Sequence, residues 1–499
     1  MRPDSLVVLS KIVADGIPAG ESLDSLSKRT TEALEAVFGQ RYAARSRHST
    51  RVVMVPTSEV VSFAGLVHEE SAPSGVYGGM SLVWFPVSGE NDAQPGSLLT
   101  FVCGTRGLAP DEHILGRPGH ARHLHALRRH LQRELSVQMW VKQDPTNLSQ
   151  SLPRVVSERL TRYEQPLGRY GNYIYAAVEV PENPDHARLV VGAFLDLYAW
   201  ERNWVPLKAA EEDVYTLRNN LRAEIFPKVN KQSVSHLLKE RRFVILQGPP
   251  GTGKTRLADE VLRDDFAGNG MTVQFHPAIT YESFVSGISP DVSDANLRFG
   301  IRPGWFLQAI KEASSKDSPY LLLVDEINRA DLARVLGEAI YLFEAREIGA
   351  GRGRSVRLPF TPDGWDKTLA VPDNLYVLGT MNSADRSIAI MDLAVRRRFA
   401  FVDIWPDLSV VENQLDGLAT EAFGRLQDIF AQFAPPDTLV LMPGHAYFLA
   451  ETKNELANRL TYDLMPLIRE YLLEGRLGPC ESELLAYLDW LEGELAVVD

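Results

Sequence analysis

The sequence predicts an α/β fold: a parallel sheet flanked by helices over residues 216–405, an all-helical subdomain over 406–499, and a mixed α+β N-terminal region ahead of both. Three observations carry this. From about residue 216, the short apolar runs FVILQ, TVQFH, YLLLVD, LYVLGT and FAFVDI alternate with helix-length amphipathic segments. Buried parallel strands joined by crossover helices give that rhythm. The last ~90 residues carry helical periodicity alone. Before residue 140, the runs RVVMVP, MSLVWFPV and SLLTFVCG are rich in Val, Trp and Phe and are separated by Gly/Ser/Pro/Asn stretches, as strands of a half-buried sheet are.

At 499 residues the chain exceeds one ordinary core. The texture divides it into 1–140, an α+β region of target-recognition type; 141–215, an α/β extension with a helical linker; and the two parts of the C-terminal half. The first opens with a helical pattern (Leu23, Leu26, Ala33, Leu34, Val37, Phe38). The second holds the strand-like YIYAAVEV, a PENPD turn, LVVGAFLDLYAW and the charged helix KAAEEDVYTLRNNLRAEI. With 45% hydrophobic and 23% charged residues, the composition is that of a soluble globular protein. A formal net charge of -13 excludes coating nucleic acid over the whole surface and leaves room for a local basic groove. Cys103 and Cys480 lie far apart with no CxxC spacing, so a reduced compartment is expected. No run reaches the roughly 20 apolar residues of a membrane span, and the N-terminus lacks a signal-peptide core. The expectation is a cytoplasmic protein with no membrane partner.

The strand FVILQ runs into GPPGTGKT and then a helical RLADEVLRD. This is G-x-x-x-x-G-K-[ST] between a strand and a helix, the context in which it binds phosphate. Gly248, Pro249, Pro250, Gly251, Thr252 and Gly253 form the loop whose N–H groups close on the phosphates at a helix N-terminus. Lys254 is expected on the β- and γ-phosphates, and Thr255 on Mg²⁺. YLLLVDEINRA then delivers Asp325 and Glu326 at a strand's C-terminal end: Asp325 to hold Mg²⁺, Glu326 to polarise the attacking water. Alone, an Asp-Glu pair merely caps the next helix; after a phosphate loop it gains a catalytic reading.

GTMNSADRSIAIMDLAVRRRF, Gly379 to Phe399, completes the set. If LYVLGT threads between the two phosphate-side strands, Asn382 emerges beside the γ-phosphate and orients the lytic water. Asp385 shares that task or holds an arginine. A helical AIMDLAV then carries Arg396, Arg397 and Arg398 to the far side of the domain, where a cation reaches the nucleotide of a neighbouring subunit. Which arginine acts is open, and a solvated basic patch is the alternative.

Together GPPGTGKT, LLLVDEINRA and GTMNSADRS resemble the AAA+ NTPases of the McrB type, the motors of McrBC modification-dependent restriction systems. MNxxDR is the distinguishing mark, and VQFHPAITYESFVSGISP, RPGWFLQAIKEA, LAVRRRFAFVDI and PGHAYFL extend the likeness over about residues 230–478. The resemblance implies an AAA+ core with a helical lid, assembly into a homo-oligomeric ring, usually a hexamer, and hydrolysis of GTP with Mg²⁺. It also implies a McrC-like partner that carries the nuclease, so this chain needs none of its own, and a DNA-reading N-terminal region serving antiviral defence. Asn382 and Asp385 match the signature's water-positioning residues, and the LAVRRRF arginines its trans-acting cluster. Two departures stand out. No typical sensor-2 arginine follows PGHAYFL, Arg459 and Arg469 being the candidates, and no NKxD-like purine-reading motif is present, so the substrate stays GTP or ATP. A MoxR-like remodelling ATPase acting on protein, or a nucleotide-gated switch recruiting an effector, are the alternatives.

Elsewhere the sequence leaves readings open. REIGAGRGRSVRLPFTPDGW looks like a β-hairpin insertion with Arg352, Arg354 and Arg357, suited to a pore, a partner, DNA or plain exposure. Tyr281, Glu282 and Phe284 either pack a core or grip a ligand. Residues 40–135 resemble, through SGVYGGMSLVWFPVSG, the MrcB-type N-terminal domain, and no site follows from it. His113, His120, His123, His125 and His130 lie among Arg117, Arg122, Arg128, Arg129 and Arg133. That stretch fits a metal pair at His120 and His123, a phosphate-binding basic face, or an ordinary interdomain helix. Trp84, Phe85 and Phe101 alternate with apolar residues and read as core, not as a base-stacking platform.

Overall fold

The computed structural model describes residues 4–43, 47–55, 60–72, 74–89, 94–291, 298–348, 353–385, 392–412 and 417–496. The chain forms two compact units, Met1–Ile225 with Ala431–Pro435, and Phe226–Phe430 with Pro436–Asp499.

The first unit is built on six strands: β1 (Ser49–Val53), β2 (Phe63–Val67), β3 (Met80–Val87), β4 (Gly96–Cys103), β5 (Met139–Val141) and β6 (Ile174–Glu179). They pair antiparallel in the order β1-β2-β3-β4-β6-β5. This corrects two expectations. No boundary falls at residue 140, because β6 pairs with β4 and welds 141–215 into the same sheet. Nor is the sheet half-buried, for β4 is buried at every position. Val83, Phe85, Leu98 and Val102 pack with Leu160 and Tyr163 on one face, and period-two alternation sends their neighbours to the other. Helices Ser5–Asp15 and Pro184–Glu201 cover that second face. The latter absorbs LVVGAFLDLYAW; it starts at Pro184, with the Asn183 side chain accepting from the N–H groups of Asp185 and His186 at 3.0 and 3.1 Å. Helix Lys208–Ile225 packs on Pro118–Leu135 and Leu23–Arg41, which moves the end of the unit from the expected 215 to Ile225.

The second unit holds the five predicted runs as strands: β7 (Phe243–Gly248), β8 (Gly270–Gln274), β11 (Tyr320–Asp325), β14 (Leu375–Asn382) and β15 (Ala400–Asp403). Between them come two hairpins, β9 (Ser286–Asp291) with β10 (Arg298–Pro303), and β12 (Ser355–Arg357) with β13 (Thr368–Ala370). The main sheet is parallel in the order β15-β7-β14-β11-β8. Successive residues of its strands enter opposite cores: Phe243, Ile245, Leu322, Val324 and Val377 one, Val244, Leu246, Leu321, Leu323 and Leu378 the other. Both faces are therefore covered, as an all-parallel sheet requires. After Asp403 the described residues contain helices and no strand, among them Gly417–Phe433, Lys453–Arg459, Met465–Leu473 and Glu481–Leu495. No described helix is long and apolar enough to cross a membrane.

One polar contact pins the first unit. Arg41, at the C-terminal end of its helix, where the dipole favours a cation, reaches Asp196 at 2.7 Å with both side chains nearly fully buried. Tyr42 Oη donates to the same carboxylate at 2.6 Å. Removing one partner strands a buried charge, so Asp196→Ala is expected to destabilise this unit by about 3 kcal/mol, read as a lower urea midpoint; an unchanged midpoint contradicts the assignment.

Candidate active site

The phosphate loop is shaped by its glycines. Gly251 and Gly253 sit at φ +76° and +77°, the left-handed region closed to most side chains. Helix Lys254–Asp265 then starts at the loop's end. Lys254 is buried, and its Nζ donates to the carbonyls of Gly248 and Pro249 at 3.0 and 2.6 Å. Burial pushes its amine down to about 8, although Glu326, Asp325 and Asp385 favour the cation. Thr255 Oγ1 donates to Asp325 Oδ1 at 3.0 Å. A hydroxyl and a carboxylate at that spacing are the hard oxygen donors that Mg²⁺ takes. Thr380 donates to Asp325 Oδ1 and accepts the Glu326 N–H at 3.2 Å. Glu326 itself stands at φ +53°, a strained position that lifts its side chain off the path of β11.

β14 lies between β7 and β11 and brings Asn382 level with Gly248. Asn382 Oδ1 accepts the Ala384 N–H at 3.1 Å, which fixes the amide and leaves its NH₂ as donor. The sequence reading missed three residues here. Arg329 bridges Glu326 (3.3 Å) and Asp385 (4.0 Å). Asn328 Nδ2 holds the carbonyl of Asn382 at 3.1 Å. Arg476, from the helical subdomain, donates to the carbonyl of Ala384. Nothing in the local spacing flags Arg476, which lies 92 residues from its acceptor. Of the candidate lid arginines, Arg459 donates to the carbonyl of Ala446 at 3.1 Å, whereas Arg469 pairs with Glu492 on the surface.

A cavity of 760 Å³ joins Gly248, Asn328, Asn382, Asp385, Arg396 and Trp405. The arginine triplet therefore does not move as one to the far side. It precedes β15, whose Ala400 pairs with Val244, four residues or about 13 Å short of Gly248. Arg397 is exposed there, and Arg398 donates back to the carbonyl of Ala394 at 2.7 Å. Arg396 instead lines the cavity of its own chain, its guanidinium 5.3 Å from the Phe401 ring. Of the helix expected over AIMDLAV, residues 389–391 lie outside the described residues, and Leu393–Arg396 is helical with Asp392 as its N-cap.

The other open stretches resolve into structure. Arg354 is held by Glu347 at 2.7 Å and stacks over Tyr341; Arg352 lies outside the described residues. Tyr281 donates to Glu338, and Phe284 is 2% exposed in the core, a burial worth about 2 kcal/mol. His120 and His123 are buried against Glu201 at 3.4 and 2.7 Å, with Arg117 on the same carboxylate. No group of three metal-ligating side chains occurs among the described residues. Arg129 and Arg133 both engage Glu224, so much of the expected basic face is neutralised.

Residues 243–399, which carry the glycine-rich loop after β7, the two acids at the end of β11 and the amide at the end of β14, match the AAA domain of the dynein-related subfamily. The McrB-type likeness read from the motifs holds beyond them. The chain is 28% identical to the type IV methyl-directed restriction enzyme EcoKMcrB subunit of Escherichia coli K12 over 358 residues, 65% of this chain and 76% of that protein. It is 26% identical to the type II restriction enzyme BsuMI component YdiS of Bacillus subtilis over 192 residues, 32% of this chain and 55% of that one. Thermotoga maritima RuvB, a Holliday junction branch migration motor, overlaps at 13% identity and a TM-score of 0.23, covering 48% and 70%, too slight a superposition to build on.

Because Lys254 loses its proton near pH 8 and must be charged to pair with phosphate, nucleotide affinity is expected to be full below that pH. Above it, affinity falls by up to about tenfold per unit, since binding then takes up a proton. Calorimetric titration from pH 7 to 9.5 measures this, and the slope is expected to vanish in Lys254→Met.

Proposed function

We propose that the chain is the motor of a McrBC-like defence system, a ring-forming NTPase that hydrolyses GTP or ATP with Mg²⁺ in the cytoplasm and drives a partner nuclease against DNA. The alignment of Asn382 with Gly248, beside Asp325 and Glu326, carries the reading. Lys254 and the N–H groups of the loop bind the β- and γ-phosphates. Thr255 and Asp325 hold Mg²⁺, which supplies charge neutralisation at the phosphates when bound. Asn382 donates its NH₂ to the attacking water, and Glu326 accepts that water's proton. Arg329 positions Glu326 and Asp385 by its contact with both acids.

The likeness to a restriction-enzyme subunit supports the partner nuclease and the DNA target. The first unit is the target reader in this reading, although its helix Pro118–Leu135 spends several of its cations on internal carboxylates. Arg397, exposed at the start of β15, acts on the nucleotide of the adjoining subunit.

Lys254→Ala, Glu326→Gln and Asn382→Ala are each expected to lower turnover of GTP or ATP by roughly a hundredfold or more; a variant with unchanged turnover removes its residue from the mechanism. Arg397→Ala is expected to lose about 10³-fold, and mixing it with Lys254→Ala to recover part of the activity, as one subunit supplies the pocket and the other the cation. No recovery in mixed assemblies, measured by phosphate release, refutes action in trans.

A further inference from the structure

PGHAYFL lies in the second unit, well away in sequence from the phosphate loop, yet its backbone is fastened to that loop. Gly444 N–H donates to the carbonyl of Pro250 at 2.9 Å, and Ala446 N–H to the carbonyl of Gly251 at 3.0 Å. The approach is so close that a Cβ on Gly444 would stand 2.1 Å from the carbonyl carbon of Gly251. Tyr447 covers Gly251 from the same side, its ring 3.1 Å from where a Cβ would be. A trans peptide holds its C=O and the following N–H in opposite directions. With the carbonyls of Pro250 and Gly251 turned toward this segment, the N–H groups of Gly251 and Thr252 point away from it, as donors to an anion must.

Between these two anchors sits His445. Its Nδ1 accepts the Asp407 N–H at 3.2 Å, so the neutral ring carries its proton on Nε2. That Nε2 lies 3.7 Å from the Cβ position of Gly253, the last residue before the helix. Burial pushes the imidazole down from its ordinary value, with Asp407, Arg256 and Lys228 as its charged neighbours. Lys254 has a different set: Glu326, Asp325 and Asp385. His445 therefore meets the loop beside Gly253 in the company of Asp407 and Arg256, apart from the acids that surround Lys254.

We propose that His445 is a nucleotide-contacting residue, donating from Nε2–H to the α-phosphate–nucleoside half of the bound nucleotide. This rests on the nucleotide reading given above. The Gly444–Ala446 backbone is the positioning element, and Arg459, through the carbonyl of Ala446, buttresses it. Such a contact is made in the ground state and in the transition state alike, so it contributes to binding and not to the chemical step.

The test compares wild type, His445→Ala and His445→Gln by calorimetry with GTP, GDP, ATP and ADP, with inorganic pyrophosphate as the probe lacking both the α-phosphate and the nucleoside, and by steady-state hydrolysis. Loss of one hydrogen bond to a charged or polar ligand group is expected to weaken tri- and diphosphate alike by about tenfold in His445→Ala. Pyrophosphate affinity and kcat are expected to stay near wild type, and His445→Gln, whose amide keeps a donor near the Nε2 position, to recover part of the loss. Unchanged nucleotide affinity in His445→Ala, or a loss confined to kcat, overturns the inference while leaving the NTPase reading intact. An equal loss for pyrophosphate also overturns it, since the histidine then only props up the loop. A wild type that binds none of the nucleotides overturns both.

Discussion

The register of β14 between β7 and β11 is the constraint on which the second unit depends. Main-chain ladders on both sides set Asn382 level with Gly248 and Gly379 level with Val324. A slip by one residue would reverse every side chain of β14, exchanging Val377 for Leu378 between the two cores. Packing therefore enforces what the chemistry needs. The apolar faces cannot be satisfied unless the amide and the acids arrive together at the same end of the sheet. Gly379 permits the close contact: a Cβ there would meet Ile327 and Ile245 at 3.0 and 3.2 Å.

Much of this was legible because the signals are local. Five apolar runs became five parallel strands, the inner three buried along most of their length and the edge strands β8 and β15 only in part. The glycine-rich loop and the Asp325–Glu326 pair lie where local spacing along the chain put them, at the ends of β7 and β11. Illegible were the contacts made at long range. Arg476 and PGHAYFL act on residues 92 and about 200 positions away, and no periodicity encodes such meetings. The arginine triplet failed in an intermediate way. Its place before β15 was foreseeable, but whether a given side chain turns toward the cavity is a matter of rotamer and packing.

The first unit shows the opposite balance. Its histidines and arginines fit, on sequence, a metal pair, a phosphate-binding face or an ordinary interdomain helix, and the carboxylate they meet is not local. Glu201 arrives from the end of a helix 78 residues after His123. There it gathers Arg117, His120 and His123 on one buried carboxylate, and Glu224 pairs with the more exposed Arg129 and Arg133 farther along the helix. A run of like charges on a sequence thus says little about free charge on a surface until its long-range partners are known.

The place of β6 inside the first sheet bears on how freely this half of the molecule can be exchanged. Because β6 pairs with both β4 and β5 and the helix after it is buried along most of its length, recombination that cut near residue 140 or 180 would split a hydrophobic layer and leave Phe101 and its neighbours facing water. Exchange of this unit, in the laboratory or in evolution, has its seam after Ile225 and must also account for Ala431–Pro435, which cluster with it.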